Sequence, residues 1–429
     1  MSWQRTLYSA LWTLALPLVR RYLKKRAQKA PAYLQHWDER FGQPCHPRAT
    51  GVIWVHAVSV GETRAALPLV NALRARWPEA PLLLTQMTPT GRATAEQLFP
   101  DAEVRYLPYD RPQAVRRFLQ AYQPRFGVLM ETELWPNLMH AAQQAHVPLF
   151  LVNARLSAKS LNGYRKIRGL IGPALAALTA IAAQSAGDAE RLQQLGGPLP
   201  QVCGNTKYDF TPPADKLALG QIFRQRIGAR PVLVCASTRD GEEALILQAW
   251  QEAADQLGDT LLVLVPRHPE RFDSVAQLAE NLGFPLQRRS DEQPLAPTTR
   301  VWLGDSMGEL FAYYAAADVA FVGGSLLPLG GQNLIEPASI GVPVLFGPSM
   351  FNFTEASEHA LAAGAARQVA DAAQLVATIR QLLADSATRQ NMHTAALAFT
   401  AAHRGACARI VTMIDAALAS ASPDKRRLG

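Results

Sequence analysis

A glycine-rich turn late in the chain carries the strongest chemical signal in the sequence. The apolar run 319–322 is typical of a buried strand of a parallel sheet, and Gly-Gly-Ser at 323–325 follows it directly. A second glycine pair at 330 and 331 precedes a helix-like segment that contains Glu336. Glycines let a backbone approach a phosphate closely, and the N–H groups of a helix start point at it. The segment predicts a nucleotide site in which Glu336 accepts hydrogen bonds from a ribose. The alternative is a tight loop that needs glycine for geometry alone.

Carboxylates close two predicted strands in the first half of the chain. Glu62 follows Gly61 at a strand-to-helix turn, where the helix N-terminus favours the charged form of a carboxylate. That placement suits a general base that is ionised near neutral pH, and a simple capping carboxylate is the alternative. Glu131 and Glu133 follow the run 126–130, with Trp135 beside them. This group is suited to orienting a substrate hydroxyl under an aromatic ring, and a plain surface loop is the alternative.

Further polar residues follow predicted strand ends or lie near the middle of the chain. Lys207 lies near a proline-bearing linker and can reach charge that develops in a cleft, unless it is a solvated linker lysine. Polar turns at 237–243, 266–271 and 304–310 follow three apolar runs. Such turns line one crevice in a doubly wound sheet. His268 has no second histidine or acid at ligand spacing, so no metal site is predicted.

The elements that position these residues alternate between strand and helix patterns. Predicted strands occupy residues 52–56, 81–85, 104–107, 126–130, 149–152, 180–183, 231–236, 261–265, 301–303, 319–322 and 342–346. This alternation predicts an α/β protein with two doubly wound, Rossmann-like domains that face a cleft, an architecture of many sugar-nucleotide transferases. We place the domains at residues 27–210 and 211–429, with the helical tail in the second domain.

The N-terminal segment combines an apolar run at 6–19 with a basic cluster at 20–26. A spanning helix needs about 20 apolar residues, so the run is short for a span. The order of apolar then basic residues is wrong for a cleaved signal peptide and places the rest of the chain in the cytoplasm. We expect residues 1–26 to form a membrane anchor that spans the bilayer or lies in the leaflet on anionic lipids. A core helix of the first domain is the alternative.

Composition narrows the class of partner. The chain has 429 residues, 48% of them hydrophobic, and a formal net charge of +8. The length allows two domains, and the charge indicates anionic partners. The sequence has no zinc-type cysteine pairing, RNA-binding aromatic motif or long basic tail, so membrane lipid or a phosphorylated substrate is favoured over nucleic acid. The four separated cysteines predict reduced core residues of a cytosolic protein.

Seven motifs, in order, make the chain resemble the Kdo (3-deoxy-D-manno-octulosonic acid) transferases of Gram-negative bacteria. These motifs occupy residues 56–62, 131–137, 153–157, 204–209, 266–271, 307–310 and 323–336. One departure is Leu334-Ile335, where the family has Pro-Leu.

The resemblance implies a GT-B fold and inverting, metal-independent transfer of Kdo without a cofactor. The donor is CMP-Kdo and the acceptor is the lipid A precursor lipid IVA, in lipopolysaccharide core biosynthesis on the cytoplasmic side of the inner membrane. It also implies that Glu62 is the general base and that Glu131 and Lys207 act on the transition state. The implied CMP-binding residues are Pro266, Arg267, Met307, Gly308, Glu309, Asn333, Leu334, Ile335 and Glu336.

Two alternatives stay open from the sequence. A sugar-nucleotide epimerase shares the two-domain architecture but would be soluble and needs no membrane segment. A non-catalytic nucleotide sensor at the membrane would not need Glu62.

Overall fold

The computed structural model describes residues 3–43 and 46–421, which form two compact α/β units. The first unit comprises the described residues up to Phe210 together with those from Arg404 onward, and the second unit is Thr211–His403. The predicted α/β class is confirmed. Each unit has its own sheet and its own hydrophobic cores.

The first unit is built on a parallel sheet whose strand order is β3-β2-β1-β4-β5-β6-β7. Its central strands are short, mostly apolar runs that are entirely buried, as expected when helices cover both faces of a parallel sheet. The strands are β1 (Ile53–His56), β2 (Leu82–Gln86), β3 (Glu103–Tyr106), β4 (Phe126–Met130), β5 (Leu149–Ala154), β6 (Ala180–Ala183) and β7 (Gln201–Val202). The order reverses between β1 and β4, and α/β proteins bind ligands at the carboxyl ends of strands beside such a switch point.

Helices connect these strands and bury the two faces of the sheet. They are α1 (Trp3–Ala27), α2 (Trp37–Arg40), α3 (Val60–Arg76), α4 (Pro89–Leu98), α5 (Pro112–Tyr122), α6 (Pro136–Gln144), α7 (Ala158–Arg165), α8 (Arg168–Ala176) and α9 (Ala186–Gln194). A 3₁₀ turn at Thr206–Tyr208 holds Lys207 at the end of this part of the chain.

The second unit repeats the design with the strand order β10-β11-β9-β8-β12-β13-β14. Its strands are β8 (Val232–Thr238), β9 (Leu261–Pro266), β10 (Leu286–Arg288), β11 (Val301–Leu303), β12 (Val319–Val322), β13 (Val344–Phe346) and β14 (Ala366–Gln368). Its helices are α10 (Ala214–Ile227), α11 (Glu242–Glu252), α12 (Phe272–Asn281), α13 (Leu310–Ala316), α14 (Ile335–Ser339), α15 (Thr354–Ala362), α16 (Ala372–Ala384) and α17 (Ser386–Ala402). The switch point lies between β8 and β12.

The last described helix, α18 (Ala406–Ala421), belongs to the first unit, which corrects the expectation that the whole tail packs in the second domain. Its apolar side, formed by Cys407, Ile410, Met413 and Ile414, is buried in the core on one face of the first sheet. Asp209 accepts hydrogen bonds from backbone N–H groups at the start of the helix. An alanine-rich pattern identifies a helix but does not specify the core against which it packs.

Helix α1 packs on the first unit along one side and exposes apolar side chains along another. One side packs on the first unit: Trp12 stacks on Tyr109 with 5.4 Å between ring centroids, and Ser9 Oγ donates to Asn137 Oδ1 over 3.1 Å. The opposite side exposes a row of large apolar residues, namely Trp3, Leu7, Leu11, Leu14, Leu18 and Tyr22. The helix therefore has apolar residues on two sides, one packed on the first unit and one exposed. Of the helices described, none is at once long enough and apolar enough to cross a membrane.

The three described cysteines, Cys203, Cys235 and Cys407, are buried free thiols. Burial raises the pKa of the Cys203 thiol to about 11, so it is protonated at neutral pH. Cys45 lies outside the described residues.

Candidate active site

Glu62 lies in the first turn of α3, at the carboxyl edge of the first sheet beside the switch between β1 and β4. The segment before the helix is extended at Ser59, so the chain turns sharply from strand to helix. Glu62 Oε2 accepts from the Val58 backbone N–H at 2.8 Å, and Oε1 accepts from Ser59 Oγ at 3.3 Å. These two bonds fix the carboxylate where ligands of doubly wound sheets bind.

The pKa of Glu62 is raised to about 7, chiefly because burial penalises the charged carboxylate. The negative charge of Glu131 raises it further, as Glu133 does when it is ionised, while the Val58 N–H lowers it. The helix N-terminus was expected to favour the ionised form, but burial and the two acids outweigh that effect. A base whose pKa lies near the working pH combines a usable ionised fraction with a strong tendency to take a proton.

Glu131 and Lys207 are brought together, although 76 positions separate them in the sequence. Glu131 follows β4 with a φ of 57°, in the left-handed region that side chains other than glycine seldom adopt. Lys207 Nζ lies 3.7 Å from Glu131 Oε1, and both side chains are largely buried. The lysine charge therefore offsets one carboxylate of the acidic cluster.

His56 and Glu133 face each other across the switch point, and sequence reasoning did not single out His56. His56 ends β1 and is fully buried, with Nδ1 at 3.1 Å from the Thr85 carbonyl oxygen. Its Nε2 lies 3.9 Å from Glu133 Oε2, which also accepts from Trp135 Nε1 at 2.9 Å. Burial raises the pKa of Glu133 and lowers that of His56 to about 4. A polar residue at the end of an apolar strand was the available sequence signal.

In the second unit, the first glycine turn binds a carboxylate of the protein itself. Glu242 is completely buried and accepts from the backbone N–H groups of Arg239, Gly324, Ser325 and Leu326. The expectation that this turn offers its N–H groups to a phosphate is therefore wrong for residues 323–325. The turn does bind an anion, and that anion is a side chain from the neighbouring strand-to-helix connection.

The N–H groups of the second glycine pair also donate hydrogen bonds to other groups of the protein. Gly331 N donates to the Gly324 carbonyl oxygen at 2.7 Å, and Gly330 N donates to Ser349 Oγ at 3.0 Å. Both glycines have positive φ, and a Cβ at either position would collide with the segment 350–352. Here the geometric role of glycine, which the sequence left as an alternative, is the one that the structure supports.

The proposed CMP-binding residues all follow strands at the carboxyl edge of the second sheet. Pro266 and Arg267 end or follow β9, residues 307–309 follow β11, and residues 333–336 follow β12. Asn333 Nδ2 donates to Glu336 Oε1 at 3.1 Å, which orders both side chains at the start of α14.

The members of this set are not equally available to a ligand. Met307 is 56% exposed, whereas Leu334 and Ile335 are buried, and the Ile335 N–H already donates to Asn333 Oδ1 at 3.1 Å. Glu309 accepts from Ser306 Oγ at 2.6 Å and pairs with Arg289 at 3.2 Å. In the part of the chain that the structure describes, no three His, Cys, Asp or Glu residues are grouped to hold a metal ion.

Two doubly wound units, one with an acidic cluster at its switch point and the other with a glycine turn at its own, have the GT-B architecture. Residues 35–210 match the family 3-deoxy-D-manno-octulosonic-acid transferase (kdotransferase). The chain is 44% identical to the 3-deoxy-D-manno-octulosonic acid transferase of Bordetella pertussis, over 94% of this chain and 98% of that protein. It is 36% identical to the enzyme of the same name from Haemophilus influenzae, over 96% of this chain and 98% of that protein. The chain belongs to the Kdo transferase family of lipopolysaccharide biosynthesis.

The epimerase alternative finds support at the level of fold alone. The structure of UDP-GlcNAc 2-epimerase from Neisseria meningitidis bound to UDP-GlcNAc superposes with a TM-score of 0.58, covering 85% of this chain and 99% of that chain. The sequence identity is 16%, so the likeness concerns the architecture and not the reaction.

Proposed function

We propose that the protein transfers Kdo from CMP-Kdo to the lipid A precursor lipid IVA with inversion at the anomeric carbon. The observation that carries this proposal is the acidic cluster of the first unit. It contains one carboxylate with a pKa of about 7, Glu62, beside a Glu131–Lys207 pair. Family membership identifies the transferred sugar as Kdo, and the cluster contains the base that an inverting transfer requires.

In the proposed reaction, Glu62 takes the proton of an acceptor hydroxyl while the hydroxyl oxygen bonds to the anomeric carbon of Kdo. The bond from that carbon to the phosphate oxygen breaks, and CMP leaves with the electron pair. Lys207 stabilises the negative charge that develops during transfer, because a fixed cation needs little reorganisation. Glu131 holds the ammonium group of Lys207 in place at 3.7 Å.

The donor nucleotide is assigned to the carboxyl edge of the second sheet. Arg267 pairs with the phosphate, because a guanidinium recognises phosphate oxygens well. Glu336 accepts from the ribose hydroxyls, and Asn333, which bonds to it at 3.1 Å, orients its carboxylate. Residues 307–309 follow β11 at the same edge of the sheet and complete the nucleotide site.

We also propose that α1 holds the enzyme on the cytoplasmic face of the inner membrane by lying in the leaflet. Its exposed apolar row ends at Tyr22, and Arg20, Arg21, Lys24 and Lys25 are exposed near that end. Apolar burial and attraction to anionic headgroups then act together. The packed side of α1 contacts Tyr109 and shares a hydrophobic cluster with Met87, and these two residues follow β3 and β2 at the same sheet edge as Glu62. The apolar row therefore lies on the side of the unit where a lipid-linked sugar must arrive.

The test is transfer to lipid IVA in vesicles with CMP-Kdo, read by the mass of the lipid product. The wild-type protein should add Kdo, and Glu62→Gln should reduce the rate by at least about 100-fold because general-base loss costs about 10²–10⁴. Glu190→Gln, on the exposed side of α9, is the matched control and should transfer normally. A new nucleotide-sugar isomer without a change in the lipid mass would instead identify an epimerase.

A further inference from the structure

The contacts of His56 with Thr85 favour a proton on Nδ1 of the ring. Nδ1 lies 3.1 Å from the Thr85 carbonyl oxygen and 2.9 Å from Thr85 Oγ1, which itself accepts from Trp54 Nε1 at 2.8 Å. The carbonyl oxygen only accepts hydrogen bonds, whereas the hydroxyl can accept or donate. A proton on Nδ1 satisfies the carbonyl oxygen, so we place the proton of the neutral ring there, which leaves Nε2 with a bare lone pair. The ring is completely buried at the end of β1, so water does not compensate this lone pair.

The bare nitrogen has a specific neighbour. Among the described residues Nε2 has no hydrogen-bond partner, yet it lies 3.9 Å from Glu133 Oε2. An ionised Glu133 would place two acceptors against each other, which is unfavourable in a buried setting. One proton between Nε2 and Oε2 removes this repulsion between two acceptors. A small movement of either side chain would bring the two atoms within hydrogen-bond distance.

That proton belongs on the carboxyl group. Moving it from Glu133 to His56 would create two charges in a buried place, and burial disfavours both. The pKa of Glu133 is raised, first by burial and then by the charge of Glu131, while burial lowers the pKa of His56 to about 4. A neutral Glu133 that donates to a neutral His56 is the arrangement with no buried charge.

We propose that His56 is a positioning residue whose Nε2 accepts a hydrogen bond from protonated Glu133, so that Glu62 ionises without a second unpaired carboxylate beside it. The other charged or titratable groups that face the cluster are Glu131, which Lys207 pairs at 3.7 Å, and Tyr164 of α7, whose pKa is raised by burial and by Glu133. The inference rests on the proposed role of Glu62 as base.

The experiment compares the acid limb of kcat/KM against pH in wild type and three variants. His56→Asn keeps an amide donor for the Thr85 carbonyl but removes the Nε2 acceptor. Glu133 should then ionise, and its charge should move the acid limb upward by roughly one pH unit. Glu133→Gln should leave the limb at the wild-type pH, because its amide donates to Nε2 without charge. The double variant His56→Asn with Glu133→Gln should restore the wild-type position, which a structural defect at His56 would not do.

An unmoved limb in His56→Asn, or a double variant that keeps the shift, would overturn the proposal. If His56→Asn does not fold, ¹⁵N NMR of the wild-type imidazole decides the question. A free histidine titrates at roughly pH 5.5–8, so a neutral Nδ1–H ring throughout that range supports the pair. An imidazolium, or a neutral ring with its proton on Nε2, refutes it. The same measurement in Glu62→Gln should again show the neutral Nδ1–H ring. It therefore separates failure of this inference from failure of Glu62 as the base.

Discussion

Removing the carboxylate of Glu242 should destabilise the second unit strongly without removing any group assigned to the substrates. The carboxylate accepts from the backbone N–H groups of Arg239, Gly324, Ser325 and Leu326 and is completely buried. Each N–H left without a partner costs about 1–3 kcal/mol, and partial relaxation of the turn lowers the sum. We expect Glu242→Ala to lower the free energy of unfolding by about 3–5 kcal/mol, the range for removing one partner from a buried charged network.

Thermal unfolding of the full chain, followed by circular dichroism, measures this effect. At roughly 2–4 °C per kcal/mol for a domain of this size, the transition of the second unit should fall by about 6–20 °C. Glu252→Ala, at the exposed end of the same helix, is the matched control and should shift the transition little. Glu242→Gln should lie between them, because its amide oxygen still accepts while its NH₂ group opposes the donors. A Glu242→Ala protein as stable as the control would show that the carboxylate does not hold the turn.

Three further predictions concern the base, the helix surface and the nucleotide. Because the pKa of Glu62 is about 7 when folded and lower when unfolded, its ionisation destabilises the fold as pH rises toward 7. Glu62→Gln should therefore raise stability at pH 8 by about 1–3 kcal/mol and leave it unchanged at pH 4, and equal shifts at both pH values would refute the cause given. Leu11→Glu with Leu18→Glu should weaken sedimentation with anionic vesicles and leave the unfolding midpoint near wild type, since both side chains are exposed. Arg267→Ala and Glu336→Ala should each weaken CMP binding in calorimetry by at least about tenfold, or roughly 1.4 kcal/mol. Unchanged affinity in both variants would refute the placement of the nucleotide site.

The sheets were predictable because their strands are apolar runs buried on both faces. The runs predicted at 126–130 and 319–322 coincide with β4 and β12. The edge strands β10 and β14 were missed, since segments such as Leu286–Arg288 are short and partly polar. At a sheet edge, pairing with one neighbour is enough to hold a strand that lacks an apolar signature.

The positions of the candidate site residues were predictable from the sequence, but their surroundings and pKa values were not. A carboxylate at a strand end identified Glu62, but the cause of its raised pKa is burial together with acids 69 and 71 positions further along the chain. The glycine turn was expected to bind a phosphate, but its N–H groups donate to the carboxylate of Glu242, about 80 positions earlier. Local patterns report which groups are present, while the tertiary fold decides what surrounds them.

The return of α18 to the first sheet makes the second unit an insertion within the first. The chain leaves the first unit after Phe210 and re-enters it at Arg404, and side chains such as Ile410 and Ile414 complete a core begun near residue 53. During synthesis the first unit therefore waits for the last residues of the chain, while Thr211–His403 is continuous and can fold as soon as it emerges. The apolar groups that α18 covers stay exposed throughout this interval, so we expect the first unit to be the part of the nascent chain that depends most on chaperones.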